Sequence, residues 1–152
     1  MDTNSRKFLL FSLSESFFAI DLAQLSEVCD PPTMWPIPFA PACYRGAFNF
    51  HGEIVAVLNL AYFLEGVGCS ESGKLIVINP SVASVAFSVD TVVKIVSEND
   101  ILSEPTLDIR FSTALLKISE MTAILLDIEE LVRSAEQFIY TYNEPIKKNV
   151  GR

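Results

Sequence analysis

Apolar residues in this chain fall mainly in short runs separated by polar turns, and their period is that of strands more than of helices. The clearest case is RGAFNFHGEIVAVLNLAYFL, residues 45–64. It reads as a strand over 47–50, a tight turn at His51-Gly52 and a second strand over 54–60. In the second strand Ile54, Ala56 and Leu58 lie on one face, and Val55 and Val57 on the other. A strand without a polar face has no side to give to water, so this hairpin is expected between two layers of protein, at the centre of a β core.

The flanking pattern is of the same kind. Residues 7–13 and 17–21 read as two strands joined by the turn Ser14-Glu15-Ser16. Leu22, Leu25 and Val28 follow at i, i+3 and i+6, a spacing that predicts one or two helical turns over a sheet edge. Residues 30–41 hold prolines at 31, 32, 36, 38 and 41. Proline fixes φ and donates no hydrogen bond, so this segment is expected to be a stiff extended connection held by Trp35 and Phe39. After the central hairpin come a short helix over 61–64, a loop over 66–73, and a second hairpin over 74–78 and 82–89 that turns at Asn79-Pro80-Ser81. Residues 90–96 continue apolar, 97–110 read as a long loop, 111–118 and 120–128 as strands, 129–140 as a closing helix and 141–152 as a polar tail.

The halves resemble each other. KFLLFSLSESFFAID from Lys7 matches KLIVINPSVASVAFSVD from Lys74, and GEIVAVLNLAYFLE, with Glu53, matches SEMTAILLDIEELV, with Glu120. Both pairs are offset by 67 residues (74 − 7 and 120 − 53). A shared period is the mark of duplicated units. Each half alone, about 65 residues long, buries too little surface to be more than marginally stable. The two are therefore expected to pack face to face as one cooperative unit, with a groove at the junction.

Composition narrows the function. Half of the 152 residues are apolar, which excludes disorder, and the net charge of -8 repels phosphate backbones and anionic membranes. Cys29, Cys43 and Cys69 are widely spaced and His51 is the only histidine, so neither a disulfide framework nor a metal site is expected. The apolar run after Arg6-Lys7 stops within six residues, too short for a secretory leader. GCSESGK at 68–74 has the spacing of a phosphate-binding loop, but Leu75 follows where Ser or Thr would hold magnesium, the segment leads into a strand, and Glu71 places a negative charge in the cradle. No Gly-x-Ser-x-Gly is present, and His51 beside Gly52 is an ordinary exposed turn residue before it is a general base. The expectation is a protein that is not an enzyme, with no catalytic, cofactor or metal residues, whose functional content lies in apolar surface at Leu22, Leu25, Val28, Trp35, Phe39 and Tyr44.

Four segments carry a family likeness: FFAIDLAQLSEV at 17–28, IPFAPACYRGAFNFHGEIVAVLNL at 37–60, VAFSVDTVVKIV at 85–96 and AILLDIEELV at 123–132. In that order they resemble the CheW family, the coupling proteins of bacterial chemotaxis. The resemblance implies an all-β fold of two five-stranded SH3-like barrels on a shared hydrophobic core, with short helices including one near the C-terminus. Residues 1–152 would then form a single CheW-like domain of two pseudo-repeated subdomains, with a polar tail over 141–152. It further implies a cytoplasmic, non-catalytic adaptor between the regulatory domain of a CheA-type histidine kinase and the cytoplasmic tips of chemoreceptors, with self-association open.

Carried over position by position, Leu22, Leu25 and Glu27 fall in the receptor-contacting segment, and Arg45 and Gly46 match a basic-Gly pair before the central strand. Family members typically read N-L-R-G at the central turn, and that arginine commonly pairs with the glutamate at 27. This chain has Asn49-Phe50-His51-Gly52, which exchanges a five-donor guanidinium for an imidazole and weakens any such pairing; His51 is counted among the partner contacts. The aspartate that usually ends the central strand is Asn59, and the arginine soon after it is absent. Other readings are a CheW-like scaffold for another pathway such as pilus motility, a small β-barrel protein with a ligand in the groove between halves, and, last, an enzyme.

Overall fold

A computed structural model describes residues 5–66, 73–106 and 108–143, with side chains described through 137. The strand pattern is realised nearly throughout. β1 (Lys7–Leu13) and β2 (Ser16–Asp21) form the first hairpin, β3 (Leu25–Cys29) follows, and β4 (Tyr44–Phe50) and β5 (Glu53–Asn59) form the second, ending in the short helix α1 (Leu60–Glu65). Then come β6 (Lys74–Ile78), β7 (Val85–Val89), β8 (Thr91–Ser97), β9 (Leu102–Pro105), β10 (Ser112–Ile118), β11 (Met121–Leu126) and the helix α2 (Ile128–Asn143). They make a six-stranded sheet, β8-β1-β2-β11-β10-β9, and a five-stranded sheet, β3-β6-β7-β5-β4.

Each sheet encloses its own core. Phe48 and Phe50 of β4, Val55 and Val57 of β5, Leu75 and Val77 of β6 and Ala86 of β7 meet in one cluster, with Cys29 of β3 against it. A sheet whose strands all converge on one side is strongly curled. In the six-stranded sheet Phe8, Leu10, Ala19, Val96, Leu116, Ile118 and Leu125 do the same. A third and larger core lies between the sheets, and the alternate residues of β1 (Leu9, Phe11, Leu13) and of β6 (Ile76, Ile78) enter it together with Leu60, Leu131 and Val132 of the helices. β1 and β6 are thus buried on both faces, which is why their sequences are unbroken apolar runs.

The repeat is present, and its register is regular. Offset by 67 residues, Leu9 opposite Ile20 becomes Ile76 opposite Phe87, and Val28 opposite Ile76 becomes Ile95 opposite Leu9. For the hairpins β4–β5 and β10–β11 the structural offset is 68: Phe50 opposite Glu53 corresponds to Ile118 opposite Met121. His51 (φ 50) then matches Ser119 (φ 54), both in the left-handed region at the turn. The caps agree as well, since the Asn59 side chain accepts from Tyr62 N at 3.1 Å and Asp127 from Glu130 N at 3.1 Å. The alignment of Glu53 with Glu120 was therefore one residue out; the repeat was not.

The sheets do not coincide with the sequence halves. β3, β4 and β5 are joined by β6 and β7 from the second half, while β1 and β2 enter the sheet of the second half through β8 and β11. The halves are interlocked rather than stacked face to face.

Other expectations need correction. Residues 22–24 form one 3-10 turn, after which 25–29 is an edge strand, because Leu25 to Cys29 pair with β6. β5 is not the central strand and is not covered everywhere: Val55, Val57 and Leu58 are buried, but Ile54 is 65% exposed. Residues 97–110 hold a 3-10 turn and β9, which gives one sheet a sixth strand. The closing helix is sixteen residues long and includes 141–143 of the expected tail; residues 144–152 and the loop motif at 68–72 lie outside the described residues.

The proline-rich connection is held by its backbone, not by its aromatics. Trp35 N donates to Ala47 O and Ala47 N to Trp35 O, both at 2.8 Å, whereas the Phe39 side chain is 80% exposed. This pairing depends on Gly46, whose φ is +150 and whose missing Cβ would sit 2.7 Å from the Trp35 carbonyl oxygen. Gly46→Ala is expected to lower stability by about 1–3 kcal/mol in urea unfolding, through backbone strain and the displaced connection.

Tyr44 ties β4 to α2, donating from Oη to Ala135 O at 3.3 Å, and burial pushes its hydroxyl far above the usual tyrosine range, with Cys43 and Glu136 adding to the shift. A proton held more tightly in the folded state contributes stability that is complete below the unfolded pKa, about 10, and is lost as pH rises beyond it. Stability is expected to fall above that pH, more gently in Tyr44→Phe, as checked by urea unfolding at stepped alkaline pH. A slope unchanged by the substitution overturns the assignment.

Candidate functional site

The residues singled out in sequence gather around β3, the β4–β5 turn and the base of β4, and they have different surroundings. His51 and Gly52, with φ of 50 and 88, close a two-residue hairpin of the type that matches strand twist. Asn49 Oδ1 accepts from Gly52 N at 2.9 Å and sets the turn. The His51 ring meets the Phe50 ring edge-on, with centroids 4.3 Å apart. Its Nε2 lies 3.8 Å from Oε1 of Glu27 on β3. The fold therefore brings together two residues 24 positions apart in sequence, and both side chains remain open to solvent at 77% and 47%.

Leu22 and Leu25 are not free surface. Both are half-buried and pack against the core between the sheets. Leu25 matches Val92 at the offset of 67, and Val92 also packs on that core, so the position is structural in both units. Gly46 is buried beneath Trp35 and offers no side chain to a partner.

Arg45 is half-buried, and its Nη1 donates to Ser88 Oγ on β7 at 2.7 Å. Ser88 is a fully buried polar residue, and a guanidinium supplied from across β5 is one of the groups that satisfies it. The basic-Gly pair thus works mainly within the sheet. Asn59 has the local role of an N-cap, which Asn and Asp perform equally well, so its difference from the family's aspartate leaves the helix start intact.

The most exposed apolar residues that sequence reasoning did not single out are Leu102 at 72%, Ile54 at 65% and Ile95 at 54%. Ile54 is the second residue of β5, close to the His51 turn and paired with Asn49. Trp35, at 57%, and Val28, at 39%, were expected and are exposed.

Clefts lie where the two sheets meet. One of about 320 Å³ is bounded by Cys43, Tyr62, Phe63, Arg110, Phe111 and Ser134. An adjoining one of about 240 Å³ shares Phe63, Arg110 and Phe111 and reaches Phe18 and Ile124. Phe63 and Phe111 lie 5.6 Å apart and the Arg110 guanidinium covers Phe111 at 4.4 Å. Burial pushes the Cys43 thiol up, so in this setting it is a poor nucleophile. Among the described residues no cluster of His, Cys, Asp and Glu has the makings of a metal site, and no helix is long and apolar enough to cross a membrane.

Set against known proteins, this arrangement has clear relatives. A solved structure of the scaffolding protein TtCheW from Thermoanaerobacter tengcongensis superposes with a TM-score of 0.72 over 84% of this chain and 92% of that one, at 24% identity. Its two SH3-like subdomains correspond to the two curled sheets. The chemotaxis protein CheW of Treponema pallidum is 27% identical over 90% of this chain and 88% of its own length. That of Klebsiella aerogenes is 29% identical over 89% and 86%. The profile of the CheW-like domain matches residues 7–136, which span every strand and most of α2, and the chain belongs to the CheW-like domain family.

Proposed function

We propose that this protein is a non-catalytic chemotaxis adaptor that couples chemoreceptors to a CheA-type histidine kinase by reversible protein–protein binding in the cytoplasm. The observation that carries the reading is the CheW-like fold with an open Glu27–His51 pair 3.8 Å apart at the corner between β3 and the β4–β5 turn. An adaptor needs accessible faces, and at that corner both side chains stand open to solvent above strands that are laddered into the sheet. By holding receptor and kinase together it makes their contact effectively intramolecular and can pass a conformational bias between them.

The surface assigned to the partner is Glu27 and His51, extended by the exposed Val28 and Ile54. Leu22 and Leu25 pack on the core between the sheets, Arg45 reaches Ser88 and Gly46 lies against Trp35, so these four are assigned structural roles. The reading is tested by titration calorimetry against the regulatory domain of a CheA-type kinase and a receptor tip from the same genome. Saturable binding supports it, and a folded protein that binds neither sinks it.

Two sets of variants separate surface from support. Glu27→Lys is expected to leave unfolding stability within about 0.5 kcal/mol, since an exposed pair contributes little, yet to weaken receptor binding about tenfold. Leu25→Arg is expected to lose stability by roughly 2 kcal/mol or more, because a charge enters the margin of the core between sheets, so its loss of binding would not define a contact. Parallel urea melts and titrations read both. His51→Arg is expected to strengthen binding to a receptor tip of the usual kind, and equal affinity for the two proteins would show the exchange to be neutral.

A further inference from the structure

We propose that the contact between the two sequence units is a recognition surface that a second copy of this chain can occupy, giving an exchanged dimer in which residues 5–65 of one copy pair with residues 74–143 of the other. Four ladders carry the argument. β1–β8, β2–β11, β3–β6 and β5–β7 all join a strand before Gly66 to a strand after Gly73. Within the first unit only the hairpins β1–β2 and β4–β5 are laddered, and β3 has its ladder partner in the second unit. In the second unit β8 likewise has its ladder partner in the first.

The edges of β1, β2, β3 and β5 that pair with no strand of the first unit are therefore completed by β8, β11, β6 and β7 of the second across a single connection. The hydrogen bonds and cores formed with a unit from another molecule are the same ones, so exchange changes only the connectivity and the entropy of association. An exchanged dimer would hold two complete two-sheet bodies, each with its own Glu27 and His51. If the adaptor reading above holds, that dimer is a bivalent adaptor; the exchange itself does not depend on that reading.

The register supplies a direct test. Cys29 on β3 lies opposite Leu75 on β6, and residues opposite each other on antiparallel strands are within disulfide reach. The full chain carrying Leu75→Cys and Cys69→Ser is unfolded, refolded at low and at high concentration, oxidised, and sized by light scattering and on a non-reducing denaturing gel. The expected result is a species of doubled mass, growing with refolding concentration, whose subunits stay joined on the gel through Cys29. A species of doubled mass with bridges only within single chains is a surface dimer and overturns the proposal, as does the absence of any dimer at all concentrations.

Should Leu75→Cys prevent folding, the otherwise native chain with a protease site placed between Gly66 and Gly73 gives a second reading. Cutting an exchanged dimer at both connections leaves bodies of monomer mass. A dimer that keeps its doubled mass after complete cleavage is not exchanged, and the inference falls.

Discussion

The structure depends on pairing between strands that are far apart in sequence. β2 runs parallel to β11 and β7 parallel to β5, while β1 and β6 each lie between their own hairpin partner and an edge strand from the other half. Parallel neighbours cannot be joined by a tight turn, so these contacts form only when both halves are present. The side chains that stabilise them most are also the least exposed: Leu10, Phe11 and Leu13 in β1, Ile76 and Ile78 in β6, and Phe87 in β7 are all buried to within 1%. Each contributes on the order of 1.5–3 kcal/mol relative to exposure. Split between two isolated halves, the same residues would face water, and neither half has another layer with which to cover them. The two sheets accordingly form only when both halves contribute strands, although each half carries a similar strand pattern.

That constraint shapes the candidate surface. Glu27 sits on an edge strand whose ladder partner, β6, belongs to the other half, and His51 sits on a hairpin whose outer strand is pinned by Trp35. Their 3.8 Å approach reports how the five-stranded sheet curls, not local sequence. The supporting residues serve this curl: Gly46 lets the connection lie against β4, and Arg45 reaches Ser88 from across β5. A partner binding at the corner would meet a preorganised platform, with little ordering cost on this side.

The strands themselves were legible because unbroken apolar runs such as 7–13 and 74–78 can satisfy both faces only inside a layered β structure. The hairpin at His51-Gly52 was legible because two residues between strands, ending in Gly, select a turn with positive φ. The edge strands β3 and β9 were not. β3 reads Leu-Ser-Glu-Val-Cys, its Leu and Val spaced as in a helix, and it is a strand only because β6 arrives to pair with it. β9 reads Leu-Ser-Glu-Pro, wholly exposed and ending in proline, which is the composition of a protected edge as much as of a loop. Interlocking was beyond reach for a related reason. The repeat fixes which segments are alike but not which copy supplies the pairing partner, since either choice buries the same residues. In the site, Leu25 and Glu27 look equally available in sequence, and only burial distinguishes support from surface.

Histidine at 51, where the family resemblance implies arginine, weighs less than the loss of a guanidinium suggests. An exposed ion pair contributes roughly 0–1 kcal/mol, and tenfold in affinity requires 1.4 kcal/mol. Here the imidazole already touches Phe50 edge-on and stands near Glu27, on a backbone held at φ 50 by the turn, so the shorter side chain keeps the placement while losing reach. What it gives up is the fork of donors that a guanidinium could extend past Glu27 to a second molecule. The loss becomes large only where a partner dries the corner and leaves an acceptor of its own facing this position. If the adaptor reading holds, the corner would suit a partner whose matching surface is less acidic there, and residue 51 would bear on selection between partners more than on overall adhesion.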